Sequence, residues 1–136
     1  MAEPGCSAAE GSGVAEVSDE AWSRQVAFYR ELIDEYGWDQ GPMLEFVSWL
    51  AASAYSRALF PSTSHEAIGL ATVPTYQERL RRPMVYIAYS EPGGFVIHWQ
   101  RGQGDEVCKE SVPAPQTPEV FSRILGWLGV AEPGFA

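Results

Sequence analysis

The sequence has few of the residues that mark a disulfide framework or a metal site. Its 136 residues include two cysteines and two histidines, and its nine basic residues are eight arginines and a single lysine. Cys6 and Cys108 lie far apart and form no CxxC spacing, a pattern that predicts neither a disulfide framework nor a metal ligand set. We therefore expect no metal ion and no other cofactor.

Long apolar runs and positively charged leader segments are also lacking. No stretch approaches the roughly 20 apolar residues that a membrane-spanning helix needs. The first 20 residues contain no lysine or arginine, so we expect neither a secretory signal nor a transit peptide. We expect a cytoplasmic protein without membrane association. The use of arginine over lysine, with abundant alanine, glycine and proline, is typical of a GC-rich bacterial genome.

Positive charge is scarce, and the net charge is -9. This excess of acidic residues repels a phosphate backbone, and the largest basic cluster is Arg79, Arg81 and Arg82. The charge therefore predicts no binding of nucleic acid. The same charge attracts basic protein surfaces, so the expected partner is another protein.

The chain divides into a tail and one domain. Residues 1–17 are rich in alanine, glycine, serine and glutamate, and they bury too little apolar surface to offset the entropy of ordering. We expect a flexible tail there. Residues 18–136 have the length of one domain with one core.

Hydrophobic periodicity predicts two helices in the first half of the domain. Ser18 is placed to cap a helix whose apolar positions continue to Tyr36, with Gly37 as its stop. A second helix is expected to begin near Pro42 and to end before Pro61. A short connection between them predicts an antiparallel pair.

The segment 62–83 carries mixed signals. We expect a turn through His65 and Glu66, followed by a short helix that begins with a Thr75–Glu78 capping box.

The hydrophobic period then changes from helical to alternating, which predicts strands at 84–90, 95–100 and about 106–112. Thr117 and Pro118 are expected to begin a C-terminal helix. The predicted fold is thus α+β, with a three-stranded antiparallel meander whose one face packs against the helices. That face is expected to carry Val85, Ile87, Tyr89, Phe95, Ile97 and Trp99.

His98 and Cys108 form the candidate catalytic pair. A five-residue connection between the last two strands places Gln100 opposite Glu106, and therefore His98 opposite Cys108. A histidine beside a thiol can lower the thiol pKa and generate a nucleophile, and Glu106 or Glu110 could orient the imidazole ring. The alternative is that the two residues are neighbours without chemistry, and a slip of one residue removes the pair.

His65 is a second catalytic candidate, because serine and glutamate neighbours could form a charge relay with it. No GxSxG turn accompanies it, and a turn at a helix start is the simpler interpretation. Neither histidine stands in an HxxxH or HExxH spacing, so no metal site is predicted.

The outer sheet face and exposed aromatic residues form the expected binding surface. The residues that we expect to contribute are Tyr86, His98, Gln100, Glu106, Glu110, Trp38 and Trp127. A second copy could also dock there and form a homodimer through the sheet.

Since no catalytic constellation is recognisable, the sequence favours a small acidic module that neutralises or escorts a partner protein, as immunity proteins, antitoxins and chaperones do. Two alternatives stay open. One is a small enzyme or ligand-binding protein that uses His98 and Cys108 in a pocket between helices and sheet. The other is a structural subunit of a larger assembly.

Overall fold

The computed structural model describes residues 17–90 and 94–131 and confirms the α+β class. The helices are α1 (Asp19–Asp34), α2 (Gly41–Ala52), the short α3 (Tyr76–Arg79) and α4 (Pro118–Leu128), with a 3₁₀ turn at Ala54–Arg57. The strands are β1 (Phe60–Ser64), β2 (Ala67–Ala71), β3 (Met84–Ser90), β4 (Gly94–Gln100) and β5 (Glu106–Val112). The predicted tail falls largely on residues 1–16, which lie outside the described residues.

Val17, which the sequence assigned to the tail, belongs to the packed fold. Its side chain is buried, and its amide N–H donates to the Arg57 carbonyl at 3.4 Å. Trp22 of α1 lies close by, and its indole N–H donates to the Ser56 carbonyl at 2.8 Å. The start of α1 is thereby fixed to the 3₁₀ turn.

The predicted helix caps are confirmed. The Ser18 hydroxyl accepts the amide of Ala21 at the start of α1, and Thr117 does the same for Val120 in α4. Each hydroxyl occupies one of the amide donors that a helix N-terminus leaves without an intrahelical partner. The Thr75 hydroxyl likewise accepts the amide of residue 78 in α3.

The sheet has five strands where the sequence predicted three. The order is β1-β2-β3-β4-β5, and every neighbouring pair is antiparallel. The additional strands β1 and β2 form a hairpin in the segment where we expected only a turn, and His65 lies at its tip with a φ of 57°. The pattern was missed because β1 contains one large apolar residue and a proline, features typical of a loop or of an edge strand.

The predicted register between β3 and β4 is confirmed. Val85 lies opposite Trp99, Ile87 opposite Ile97, and the pair Tyr89 and Phe95 follows. We call this side of the sheet the helix face. Helices α1, α2 and α4 cover it, with the core between them; for example, Phe46 of α2 packs edge-to-face on Phe95 at 6.2 Å between ring centroids.

The opposite side, which carries Tyr86 and His98, is called the outer face. It is not fully open, since Met84 on this side is completely buried. The connection between β4 and β5 folds back towards α3, and the amide of Gln103 donates to the Arg79 carbonyl at 2.9 Å. The prediction that helices lie on one face therefore holds for the three long helices and not for α3.

The two ends of the sheet serve as reference points for the site. The lower end is where β3 begins at Met84, and α3 lies there. The upper end is where β3 ends at Ser90, beside the tip of the β1–β2 hairpin and the α1–α2 connection.

Candidate functional site

The predicted pairing of His98 with Cys108 is wrong. Gln100 lies opposite Glu106 as expected, but the ladder shifts by one residue at this point, and Cys108 lies opposite Trp99. A β-bulge adds one residue to one strand, and each side chain beyond it changes face because the period along a strand is two. Cys108 therefore faces the helices, while His98 lies on the outer face opposite Lys109.

His98 pairs instead with Glu106, which is one of the two acidic residues that the sequence suggested could orient the ring. Its Nδ1 lies 2.7 Å from a Glu106 carboxylate oxygen, and both side chains are partly exposed. The carboxylate fixes the orientation of the ring. The thiol proposed as the nucleophile for this base lies on the opposite side of the sheet.

The neighbouring outer-face groups also bind one another. The Gln103 side-chain amide donates to the Tyr86 hydroxyl at 2.8 Å. Gln100, expected to be exposed, is 8% exposed, and its Oε1 accepts the Gly104 amide at 3.1 Å. These contacts hold the β4–β5 connection in place and leave Tyr86 half-buried.

Glu110 and Trp127 lie on the other side of the sheet, in a cleft between α4 and β5. Arg123 donates two hydrogen bonds of 2.9 Å to the Glu110 carboxylate, and these bonds hold the pKa of Glu110 below its ordinary value. The Arg123 guanidinium also lies 5.6 Å from the centre of the Trp99 ring. Trp127 donates its indole N–H to the carbonyl of residue 100 at 2.8 Å.

The cleft has a volume of about 430 Å³ and is open to solvent, with Cys108 on its wall. The sequence predicted a pocket between helices and sheet that contains both His98 and Cys108. This cleft contains Cys108 but not His98. Its charged groups are already paired with each other. His65 is exposed at the hairpin tip, and the described residues hold no group of three histidine, cysteine or acidic side chains placed to bind a metal ion.

Two large aromatic side chains stand exposed at the upper end. Trp38 was expected to be exposed, and it is 47% exposed. Tyr36 was expected on the buried stripe of α1, but the helix ends at Asp34 and Tyr36 is 64% exposed. The positive φ of Gly37, 68°, turns the chain here, a conformation that glycine adopts without strain.

Exposed carboxylates lie near these rings along the chain. Glu31, Asp34 and Glu35 lie at the C-terminal end of α1, and Asp39 follows Trp38. Arg30 lines the same surface, yet none of the four carboxylates lies within ion-pair distance of any basic group that the structure describes. We call the set Glu31, Asp34, Glu35, Tyr36, Trp38 and Asp39 the upper patch.

A groove runs beside Trp38, and the buried residue Gln40 forms part of its lining. It has a volume of about 380 Å³, and its walls include Glu66 and Ser90. Gln40 lines it and is 7% exposed; its Nε2 donates to the Tyr89 carbonyl at 3.3 Å, while its Oε1 has no partner among residues 17–90 and 94–131. Leaving a buried acceptor unpaired costs about 1–3 kcal/mol.

The floor of the upper end is rigidly held. The Tyr29 hydroxyl, from the middle of α1, donates to the Glu66 carbonyl at 2.8 Å and so ties the hairpin tip to the helix. Burial, with a smaller effect from the Glu66 charge, raises the pKa of Tyr29 far above its ordinary value of 10.0.

The signal for the upper patch was present in the sequence. Three acidic residues precede the helix stop at Gly37, where a helix C-terminus favours basic residues. Acidic residues at the end of a helix that favours basic ones, next to Trp38 in a loop, indicate the position of the upper patch.

Comparison of the chain with protein-family models, curated proteins and solved structures gives no match. Within the described part of the chain, no helix has the length and apolar character required to cross a bilayer.

Proposed function

We propose that this chain is a protein-binding module whose upper patch holds a basic surface of a partner protein. The observation that carries the proposal is the exposure of Tyr36 and Trp38 among carboxylates that have no ion-pair partner in the described residues. Paired acids and buried aromatic rings are ordinary features of a monomer. Unpaired acids around exposed rings fit a contact surface.

The chemistry of the patch defines the partner surface that it fits. Tryptophan and tyrosine serve as anchors in protein interfaces, and their ring faces attract arginine and lysine. The carboxylates add charge complementarity, which mainly raises the association rate and the specificity.

The outer sheet face, which the sequence favoured as the binding surface, supports binding less well. His98 is paired with Glu106, and Tyr86 with Gln103, whereas the exposed carboxylates of the upper patch have no ion-pair partner among the described residues. A module that neutralises or escorts a basic protein, in the manner of an immunity protein, an antitoxin or a chaperone, is the function that this arrangement supports best.

The test is capture of a partner from extracts of the source cells by tagged protein, with chemical cross-linking to map the contact. The patch variant is Trp38→Ala with Asp34→Asn and Asp39→Asn. Its control is Tyr86→Ala with His98→Ala on the outer face, and circular dichroism checks that both variants fold. All substituted positions except the half-buried pair of the control are exposed, so the patch variant is expected to fold.

We expect one stoichiometric partner that is cross-linked to the upper patch, is lost with the patch variant and weakens as salt is raised. A partner that survives in the patch variant and is lost in the control would move the site to the outer face. Absence of any stoichiometric partner would contradict the binding-module function.

A further inference from the structure

The lower end of the sheet carries a second exposed surface with the opposite charge. Tyr76 and Leu80 of the α3 region are 59% and 46% exposed, and Arg81 and Arg82 follow with exposed side chains. Neither Arg81 nor Arg82 forms an ion pair with an acidic group of the described residues. We call Tyr76, Leu80, Arg81 and Arg82 the lower patch.

The two patches are complementary in charge, and they share two other features. One is acidic and the other basic, each has two large apolar or aromatic side chains, and each borders a depression. The lower depression has a volume of about 510 Å³ and is lined by Gln77, Glu78, Leu80, Arg81 and Arg82, so that one acidic residue lies beside the two arginines. Its arginines can pair with the carboxylates of the upper patch and lie against an exposed ring such as Trp38.

One molecule cannot satisfy its own patches. Arg82 lies two residues before β3 begins, and Ser90 at the end of β3 lines the groove beside Trp38. Seven strand residues at about 3.3 Å each separate the two ends by roughly 20 Å. That distance exceeds the Debye length of about 8 Å at physiological salt, so the charges do not attract each other within one chain.

We propose that copies of this chain associate head to tail, with the lower patch of one copy bound on the upper patch of the next. This inference rests on the proposed binding role of the upper patch and names a partner surface for it, which is a second copy of the chain. Because the two surfaces differ, the contact is heterologous and builds a ring or an open chain of molecules rather than a two-fold dimer. The β5 edge is a weaker route, since its bulge and Lys109 disfavour pairing with another strand.

Charge-reversal variants test the contact by sedimentation equilibrium from about 10 µM to about 1 mM protein, the range of weak association constants. The upper-reversed variant is Asp34→Lys with Glu35→Lys, which places basic residues where a helix end favours them. The lower-reversed variant is Arg81→Glu with Arg82→Glu. A control, Arg24→Glu with Lys109→Glu, makes the same change in net charge as the lower-reversed variant, away from both patches.

We expect the wild-type protein and the control to associate with rising concentration, and more weakly at about 500 mM salt than at about 50 mM. Each reversed variant alone should associate about tenfold or more weakly, since favourable pairs become repulsive. An equimolar mixture of the two reversed variants should associate again, because the basic lower patch of one still meets the acidic upper patch of the other.

A wild-type protein that is monomeric over the whole range would overturn the inference, as would a mixture that behaves like its separate components. Capture of another protein through the upper patch by a strictly monomeric chain would leave the proposed function standing and remove only the self-association. Self-association without any captured partner would remove the function and keep the head-to-tail contact.

Discussion

Replacement of Gly69 by alanine tests the packing of the outer face. Gly69 lies in β2 between Ser62 of β1 and Tyr86 of β3. A β-carbon at position 69 would lie 2.5 Å from Cε1 of the Tyr86 ring and 2.6 Å from the Ser62 hydroxyl oxygen. Both distances are well below van der Waals contact, which for carbon pairs is about 3.5–4.0 Å. The tyrosine ring therefore occupies the space that a side chain would need.

Two opposing effects set the magnitude. Alanine in place of glycine within a strand ordinarily stabilises by roughly 0.5–1 kcal/mol, because the unfolded chain loses conformational freedom. Inserting a methyl group into a filled space costs about 1–3 kcal/mol. The Ser62 hydroxyl can rotate away, but the Tyr86 ring is held by its bond with Gln103, whose loss costs about 1 kcal/mol. We expect a net destabilisation of about 0.5–2 kcal/mol.

Urea unfolding followed by tryptophan fluorescence measures the effect in two backgrounds. With Tyr86→Ala the obstacle is gone, so Gly69→Ala should then stabilise by about 0.5–1 kcal/mol. Gly126→Ala in α4 is the matched control. Apart from its chain neighbours and the adjacent helix backbone, no atom lies within 4 Å of its added β-carbon, so it should stabilise by roughly 1 kcal/mol. An equal effect of Gly69→Ala in both backgrounds would refute the steric argument.

Two further predictions concern titrating groups. Glu110→Gln should lower the free energy of unfolding by up to about 1 kcal/mol at neutral pH, as expected for a partly exposed pair. Arg123 lowers the folded-state pKa of Glu110. The difference in stability from wild type should therefore vanish as the pH falls from the ordinary glutamate range through that lowered pKa. Tyr29→Phe should cost about 1 kcal/mol through the lost bond to the Glu66 carbonyl. Since the folded-state pKa of Tyr29 is raised, wild-type stability should fall as the pH rises above 10.0, and the variant should show a smaller fall. Urea unfolding across pH measures both, and a Glu110→Gln difference that persists at low pH, or an unchanged alkaline slope for Tyr29→Phe, would contradict them.

Elements with strong local signals could be predicted from the sequence. Ser18 and Thr117 cap helices because a hydroxyl in that position accepts a free amide, a local interaction. The pairing of Val85 with Trp99 follows from strict alternation and one buried face. In each case the information lies within a few residues along the chain.

The β1–β2 hairpin could not be predicted from such signals. β1 has one large apolar residue, and β2 contains Gly69, so neither reads as a strong strand. Their stability comes from pairing with β3 and from the hydrogen bond of Tyr29 to the hairpin tip, both of which are tertiary contacts. The same holds for the bulge beside Gln100. The length of the loop correctly predicts that Gln100 pairs with Glu106. One extra residue, Val107, then shifts the register, so Cys108 lies on the other face of the sheet.

The charges at the end of α1 do not help to stabilise the folded chain. Glu31, Asp34 and Glu35 lie at the negative end of the helix dipole, and α1 has no basic residue in its last turn. Each such acid costs about 0.3–1 kcal/mol at low salt where a lysine would stabilise. Mutual repulsion and the unpaired Gln40 acceptor add to that cost.

Elsewhere the described part of the chain satisfies some local rules and breaks others: the start of α2 has no side-chain cap, and Ser62, Arg79, Gln103 and Gln116 each have a buried side-chain atom without a partner there. Other helix starts are capped at Ser18 and Thr117, and the carboxylate of Glu110 is paired with Arg123. Unpaired acidic residues at the end of α1, beside exposed rings, fit a surface that serves binding, because a bound partner would supply the opposite charge. A basic arginine-bearing surface would pair with these carboxylates, whether it came from another protein or from the lower patch of a second copy.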